Sequence, residues 1–233
     1  MHDFTWFSLI TDKIDHHNVH IFSSAFIVLL IVIASFLAHR KLKNPESRLI
    51  PEGKMSLTNI FEAAVENILG LMEGVMGHEA PKYFPLIGAL FIYIFLCNLL
   101  SVIPGFVPPT DNINTNFACA ITVFVYYNAM GIRAHGLKNY LKHFMGPIVW
   151  LAPLMFVIEM IGHLVRPVSL SLRLFGNITG DHLVLGIFSD LVPVLVPVVF
   201  MALGLFVAFI QAFVFSLLSM IYIALATAHE EGH

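Results

Sequence analysis

From Pro147 to Ser189 the chain runs almost without a break through apolar or helix-compatible residues, and Arg173 stands inside that run. As one helix, these roughly 43 residues would extend about 64 Å, twice the thickness of a bilayer's hydrocarbon core. A second run, Val194 to Ala226, would extend about 50 Å. Inside lipid every backbone N–H and C=O must be satisfied within the protein, and continuous rather than alternating apolarity selects the α-helix. The guanidinium of Arg173 cannot shed its proton to escape such surroundings. An intramembrane Arg therefore has to face water or a carboxylate, and it is a functional candidate.

Composition supports a membrane setting. The chain has 233 residues, 58% hydrophobic and 12% charged, with a mean hydropathy of +0.84. Soluble domains carry about 25% charged residues, so this chain has too few to cover a water-facing surface. A net charge of -3, with no basic patch or finger motif, gives no reason to expect nucleic acid. Cys97 and Cys119 both lie in apolar segments and read as small buried hydrophobes rather than a disulfide. The first twenty residues carry Asp3, Asp12 and Asp15 in place of a basic leader, so the apolar run that follows reads as a retained anchor.

The expected fold is an all-α membrane protein, one membrane domain over 1–233. An external N-terminal segment (1–20) precedes a first span at 21–40, and further spans lie at 83–102 and 117–132. Between the first two, residues 56–77 place Ile60, Ala64, Ile68 and Leu71 at helical spacing with Glu62, Glu66 and Glu73 between them, which predicts an amphipathic helix. The long runs occupy 147–189 and 194–226. Each is either one strongly oblique helix or, for the first, two short spans broken at Pro167. Arg40, Lys41, Lys43, Arg48 and Lys54 put the first connection in the cytoplasm, as do Arg133, Lys138 and Lys142 for a later one. The 104–115 connection has Asp111 and no Lys or Arg, so it is external, and so is the N-terminus. The tail AHEEGH carries no Lys or Arg, and charge does not place it.

At about 100° per residue, Glu159, His163, Arg166, Arg173, Asn177 and Asp181 fall within roughly a quarter of one helix's circumference, while His182 lies opposite Arg173. Ladders of this kind in a bilayer mark proton or ion pathways. The competing reading is internal pairing, Glu159 with Arg166 and Arg173 with Asp181; Arg166, beside Pro167, could also reach an interface. Gly176 and Gly180 form a small-residue surface for close helix packing. Gln211, Ser219 and Tyr222 make a narrower stripe on the last segment, lining the same route or bonding to a neighbouring helix. Asn98 reads as an interhelical hydrogen bond. No Walker A, GxSxG, HExxH or CxxC pattern is present, so no catalytic constellation is expected.

The run SLSLRLFGN (Ser169 to Asn177), Glu159 upstream, QAFVFSLLSMIYIALA from Gln211, PEGKMSLTN (Pro51 to Asn59) and an acidic, His-containing tail together resemble subunit a of the F-type ATP synthase over nearly the whole chain. The resemblance implies five transmembrane or intramembrane helices, the last two long and strongly oblique, plus one amphipathic helix. It implies a proton-translocating stator subunit with two aqueous half-channels, in which Arg173 faces the carboxylates of a c-subunit ring. By the same resemblance Asn177 and Gln211 are polar neighbours of that Arg, Glu159 belongs to the cytoplasmic-side path and His182 to the external one. Seven residues before Gln211, where relatives often carry His or Glu, stands Gly204, with Asp181 as the acid that could replace it. His163, Ser219 and Tyr222 are pathway or packing residues. Implied partners are the c ring, the b-subunit peripheral stalk, the remainder of the ATP synthase and the lipid bilayer. No cofactor or metal is implied. The implied location is a bacterial inner membrane, with the N-terminus outside and the C-terminus cytoplasmic. Two other readings stay open on residue chemistry: a haem-binding, cytochrome b-like electron carrier using His163 and His182, and a stand-alone channel or transporter.

Overall fold

The computed structural model describes residues 19–42, 57–103, 105–144, 150–191 and 195–228. The N-terminal segment before Val19, most of the basic connection 39–54, the start of the 147–189 run and the acidic tail lie outside the described residues. Among the described residues every regular element is helical. Five helices are long and apolar enough to cross a membrane.

The chain forms two compact units, residues 1–109 and 110–233. In the first, α1 (Val19–Leu42), α2 (Leu57–Met76) and α3 (Ala80–Leu100) pack against one another. Helix α2 follows the expected stripe only in part: Ile68 is buried and Glu62, Glu66 and Glu73 are exposed, but Leu71 is exposed and Met72 is buried in its place. A single 3-10 turn at Gly77–Glu79 carries it into α3, with Gly77 at φ 63°. Phe61–Leu100 is thereby one nearly continuous helical stretch apolar enough to span, which the Glu residues on α2 obscure in the sequence. Helices α1 and α3 are joined by Ser24 and Tyr93, whose hydroxyls lie 2.7 Å apart, above a cluster of Ile27, Cys97 and Leu100. Asn98 is fully buried, but its amide makes no hydrogen bond among the described residues, so the expected interhelical bond is not formed. Cys97 and Cys119 are free thiols.

In the second unit, α4 (Ile113–His135), α5 (Leu137–His143), α6 (Ala152–Leu191) and α7 (Leu195–Thr227) form a bundle in which α4, α6 and α7 all touch. Asn112 caps α4 by accepting from the Asn114 N–H at 2.9 Å. Asn116 donates to the Thr110 carbonyl at 2.7 Å and fixes the 3-10 turn Pro109–Asp111 onto the helix. Gly136, at φ 77°, ends α4 and starts α5, a helix absent from the expected elements. At seven residues, half of them polar, α5 is too short for periodicity to announce it.

Helix α6 settles the question of Pro167. It runs unbroken for 40 residues with Pro167 inside it and buried. Proline removes one backbone donor, the one that would reach the His163 carbonyl, and the serine hydroxyls that follow bond elsewhere. Ser169 donates to the Arg166 carbonyl at 3.0 Å and Ser171 to the Val168 carbonyl at 2.9 Å. The surface of α6 carries exposed Leu154, Val157, Ile158, Ile161, Leu164, Leu172, Leu183 and Ile187, which suits lipid rather than water.

Candidate functional site

The polar stripe of α6 divides into three zones along the helix. Toward its N-terminal end, Glu159 and Arg166 form an ion pair at 3.6 Å. The Arg166 guanidinium lies over the Tyr222 ring of α7, 5.2 Å from its centroid. Between them in sequence, His163 is buried, with Nε2 2.7 Å from Asn128 Oδ1 of α4. Tyr140 of α5 donates to the same Asn128 oxygen at 2.9 Å. Burial pushes the Tyr140 hydroxyl above its ordinary pKa of 10.0, against the opposing pull of the Arg166 charge.

Toward the C-terminal end, Asp111 reaches α6 from its turn. Thr179 donates to Asp111 Oδ1 at 3.3 Å, and His182 Nδ1 lies 3.9 Å from Asp111 Oδ2. Asp181 and His182 are both half-buried. Thr110 and Asn116, beside Asp111 in sequence, each keep a buried side-chain oxygen without a partner among the described residues. Such oxygens are places where ordered water is normally found.

Arg173 lies between these zones. It is exposed, and among the described residues it forms no ion pair or hydrogen bond. Of the two internal pairs the sequence allowed, Glu159–Arg166 forms and Arg173–Asp181 does not. One turn beyond, Asn177 donates to Gln211 Oε1 of α7 at 2.5 Å, while the Gln211 amide nitrogen is buried and has no partner among the described residues. Ser219 is occupied within its own helix, donating to the Phe215 carbonyl at 2.8 Å. The structure thus gathers Glu159, His163, Arg166 and Tyr222 at one end, Asp181 and His182 at the other, and Arg173, Asn177 and Gln211 between them.

The chain matches the family model of the ATP synthase A chain over residues 21–224. It belongs to the ATP synthase A chain family. It is 44% identical to ATP synthase subunit a of Bdellovibrio bacteriovorus across 97% of this chain and 99% of that one. It is 52% identical to ATP synthase subunit a of Trichlorobacter lovleyi, across 93% and 89% of the two chains. With subunit a of Geobacter sulfurreducens the identity is 50%, across 89% and 86%. As an ATP synthase A chain it is a multi-pass membrane subunit that translocates protons and is not catalytic by itself.

Several residues of the site escape sequence reasoning. Asp111 contributes there only to loop charge, and Tyr127, Asn128, Tyr140 and Thr179 carry no signal. Each acts through a partner far along the chain, and spacing within one helix is blind to that. The cytochrome-like alternative fails on geometry. His163 and His182 share one helix about 28 Å apart along its axis, too far to hold one haem between them.

Proposed function

We propose that Arg173 is the charge that separates two aqueous half-channels, one at each end of α6, and that it faces the carboxylates of a rotating c-subunit ring. The observation that carries this reading is an exposed guanidinium, unpaired among the described residues, midway between two polar clusters, each held by an ion pair of its own, Glu159–Arg166 and Asp111–His182. Along the helix axis Arg166 is about 10 Å from Arg173, and His182 about 14 Å on the other side. A proton crossing directly between the clusters would have to pass a fixed positive charge at close range. A carboxylic acid delivered by a partner would instead be driven to ionise as it approached, because an opposite charge within a few ångströms favours the charged form. The released proton leaves through one cluster, and the carboxylate takes up another from the opposite side.

The length of α6 fits this task. A 40-residue helix is about 60 Å long, and to lie wholly within a ~30 Å core it must tilt about 60° from the membrane normal. An oblique helix presents Arg173 at mid-depth and brings each end near a different face. The Asp111–His182 cluster then forms the external entrance and Glu159–Arg166 the cytoplasmic one. Exposed Arg133 at the end of α4 and Lys138 in α5 agree with a cytoplasmic corner there. In this orientation the N-terminus is outside and the C-terminus cytoplasmic, and the b-subunit stalk and the rest of the complex hold the chain against the ring.

The test is Arg173→Ala in the assembled complex. ATP-driven proton pumping into inverted vesicles is lost while the other subunits are retained. Full pumping by that variant overturns the reading.

A further inference from the structure

His163 invites assignment as a proton relay, since its imidazole can titrate near neutral pH and it sits on the polar stripe. Its surroundings argue otherwise. The ring is held in a box of Phe124 and Tyr127 from α4 and Phe144 following α5, with centroids 5.0, 5.2 and 5.1 Å away. Its Nε2 must donate to Asn128 Oδ1, because an amide oxygen only accepts. That oxygen also accepts from Tyr140, and the Asn128 amide nitrogen is fixed by donating to the Phe124 carbonyl at 2.7 Å. A proton arriving at His163 and leaving through Nε2 would meet an amide oxygen, which cannot carry it further. The remaining neighbour is the Tyr127 hydroxyl, 3.4 Å from either ring nitrogen and too long for an efficient transfer.

The same contacts make a good mechanical joint. Asn128 ties α4 to α6 through His163 and to α5 through Tyr140. The Tyr127 ring, edge-on to His163, packs 6.0 Å from Tyr222, and Tyr222 carries the Arg166 guanidinium. A path of contacts therefore runs from His163 through Tyr127 and Tyr222 to Arg166 and its partner Glu159. Among the described residues, the charged and titratable groups around His163 are Tyr127 from α4, Tyr140 from α5, Tyr222 from α7, and Glu159 and Arg166 from its own helix.

We propose that His163 is a positioning residue for proton transfer at the Glu159–Arg166 end of α6: a fixed hydrogen-bond donor that joins α4, α5 and α6, and not itself a proton carrier. The inference rests on the half-channel reading above, which makes that end of α6 a proton path. A glutamine at this position can place its amide N–H where the imidazole Nε2–H now points, but it cannot titrate. A leucine fills the space and donates nothing.

The experiment compares His163→Gln and His163→Leu in the whole complex, by ATP-driven acidification of inverted vesicles between roughly pH 6 and 9. His163→Gln pumps within about twofold of the unsubstituted protein, with an unchanged pH profile, and His163→Leu falls by roughly tenfold, the equivalent of one lost buried hydrogen bond. Asn128→Leu falls similarly, and combining it with His163→Leu gives no further loss, since both cut the same link. A His163→Gln complex as impaired as His163→Leu, or one that loses a limb of its pH profile, overturns the proposal. So does a His163→Leu complex that pumps normally. Should His163→Leu fail to assemble, His163→Gln decides alone: normal rate and profile support the proposal, and a reduced rate overturns it. Arg173→Ala, run alongside, reports on the half-channel reading independently. Pumping by that variant sinks the channel assignment, whereas a silent Arg173→Ala with an impaired His163→Gln sinks only the positioning role.

Discussion

Replacing Gly131 by alanine should destabilise the second unit, although the same exchange ordinarily strengthens a helix. Gly131 lies near the C-terminal end of α4, where α5 folds back and α7 passes. A Cβ there would sit 2.5 Å from Tyr140 Cε2 and 3.0 Å from the Ala226 carbonyl oxygen. Neither can simply move aside. The Ala226 oxygen is backbone, and the Tyr140 ring is held by its bond to Asn128 and its edge-on contact with Phe144 at 5.2 Å. Overpacking of this kind costs about 1–3 kcal/mol, and losing the Tyr140–Asn128 bond costs about 1 kcal/mol more. The helix propensity gained on leaving glycine offsets up to about 1 kcal/mol. The net expectation is a loss of about 1–3 kcal/mol. Gly74 on α2 is the control: a Cβ there meets nothing within 4 Å, so Gly74→Ala should be neutral or stabilising by up to about 1 kcal/mol. Thermal unfolding of the detergent-solubilised protein, followed by loss of helical circular dichroism, separates the two. A Gly131→Ala protein that melts at or above the unsubstituted temperature would refute the close approach of α4, α5 and α7.

Tyr222→Leu removes the ring beneath Arg166 and with it about 0.5–2 kcal/mol of cation–π attraction, while Tyr222→Phe keeps it; ATP-driven pumping should drop for the leucine variant and persist for the phenylalanine one. Asp111→Asn can still accept from Thr179 but no longer offers charge to His182, so passive proton conductance of vesicles stripped of the catalytic sector should fall, with assembly unchanged by immunoblot. Because burial raises the Tyr140 pKa above 10.0, the folded state holds that proton more tightly than the unfolded chain. Its contribution to stability is complete below the unfolded value and is lost as pH climbs through the folded one; Tyr140→Phe should be less stable at neutral pH yet lose less between about pH 9 and 11 in thermal melts.

What the sequence makes legible here is whatever repeats along one helix. The stripe on α6, its apolar flanks and the two long C-terminal runs all follow from spacing near 3.6 residues and from length. Which stripe members pair does not follow, because pairing depends on what faces them. Glu159 finds Arg166 seven residues along its own helix, a contact spacing can suggest. His182 finds Asp111, 71 positions earlier and in a turn whose local signals speak only of capping. Asn128 looks like an ordinary polar residue on α4 until α5 and α6 bring Tyr140 and His163 to the same oxygen. The continuity of α6 through Pro167 is an intermediate case. Proline alone argues for a break, and only the unbroken 40-residue helix shows that it does not make one; the hydroxyls of Ser169 and Ser171 bond to the Arg166 and Val168 carbonyls, not to the His163 carbonyl that loses its donor.

Arg166 and Arg173 make the most informative comparison in the molecule. They are two turns apart on nearly the same face, so helix geometry gives them almost the same outlook. Arg166 has an acid within 4 Å and an aromatic ring beneath it. Arg173 has neither among the described residues. The residue seven before it, where Arg166 finds Glu159, is Arg166 itself, and Asp181 does not reach back to it. A permanent cation left on an apolar surface costs at least a few kcal/mol unless water or an anion meets it. Of the other described acids on or beside α6, Glu159 already serves Arg166 and Asp111 is directed toward His182. Among the described residues none is left to supply a countercharge for Arg173, which suits a cation met by solvent or by another chain. A partner carboxylate that arrives, ionises and departs would meet that need without settling into a permanent bridge, and permanence is the one property a rotary contact cannot have.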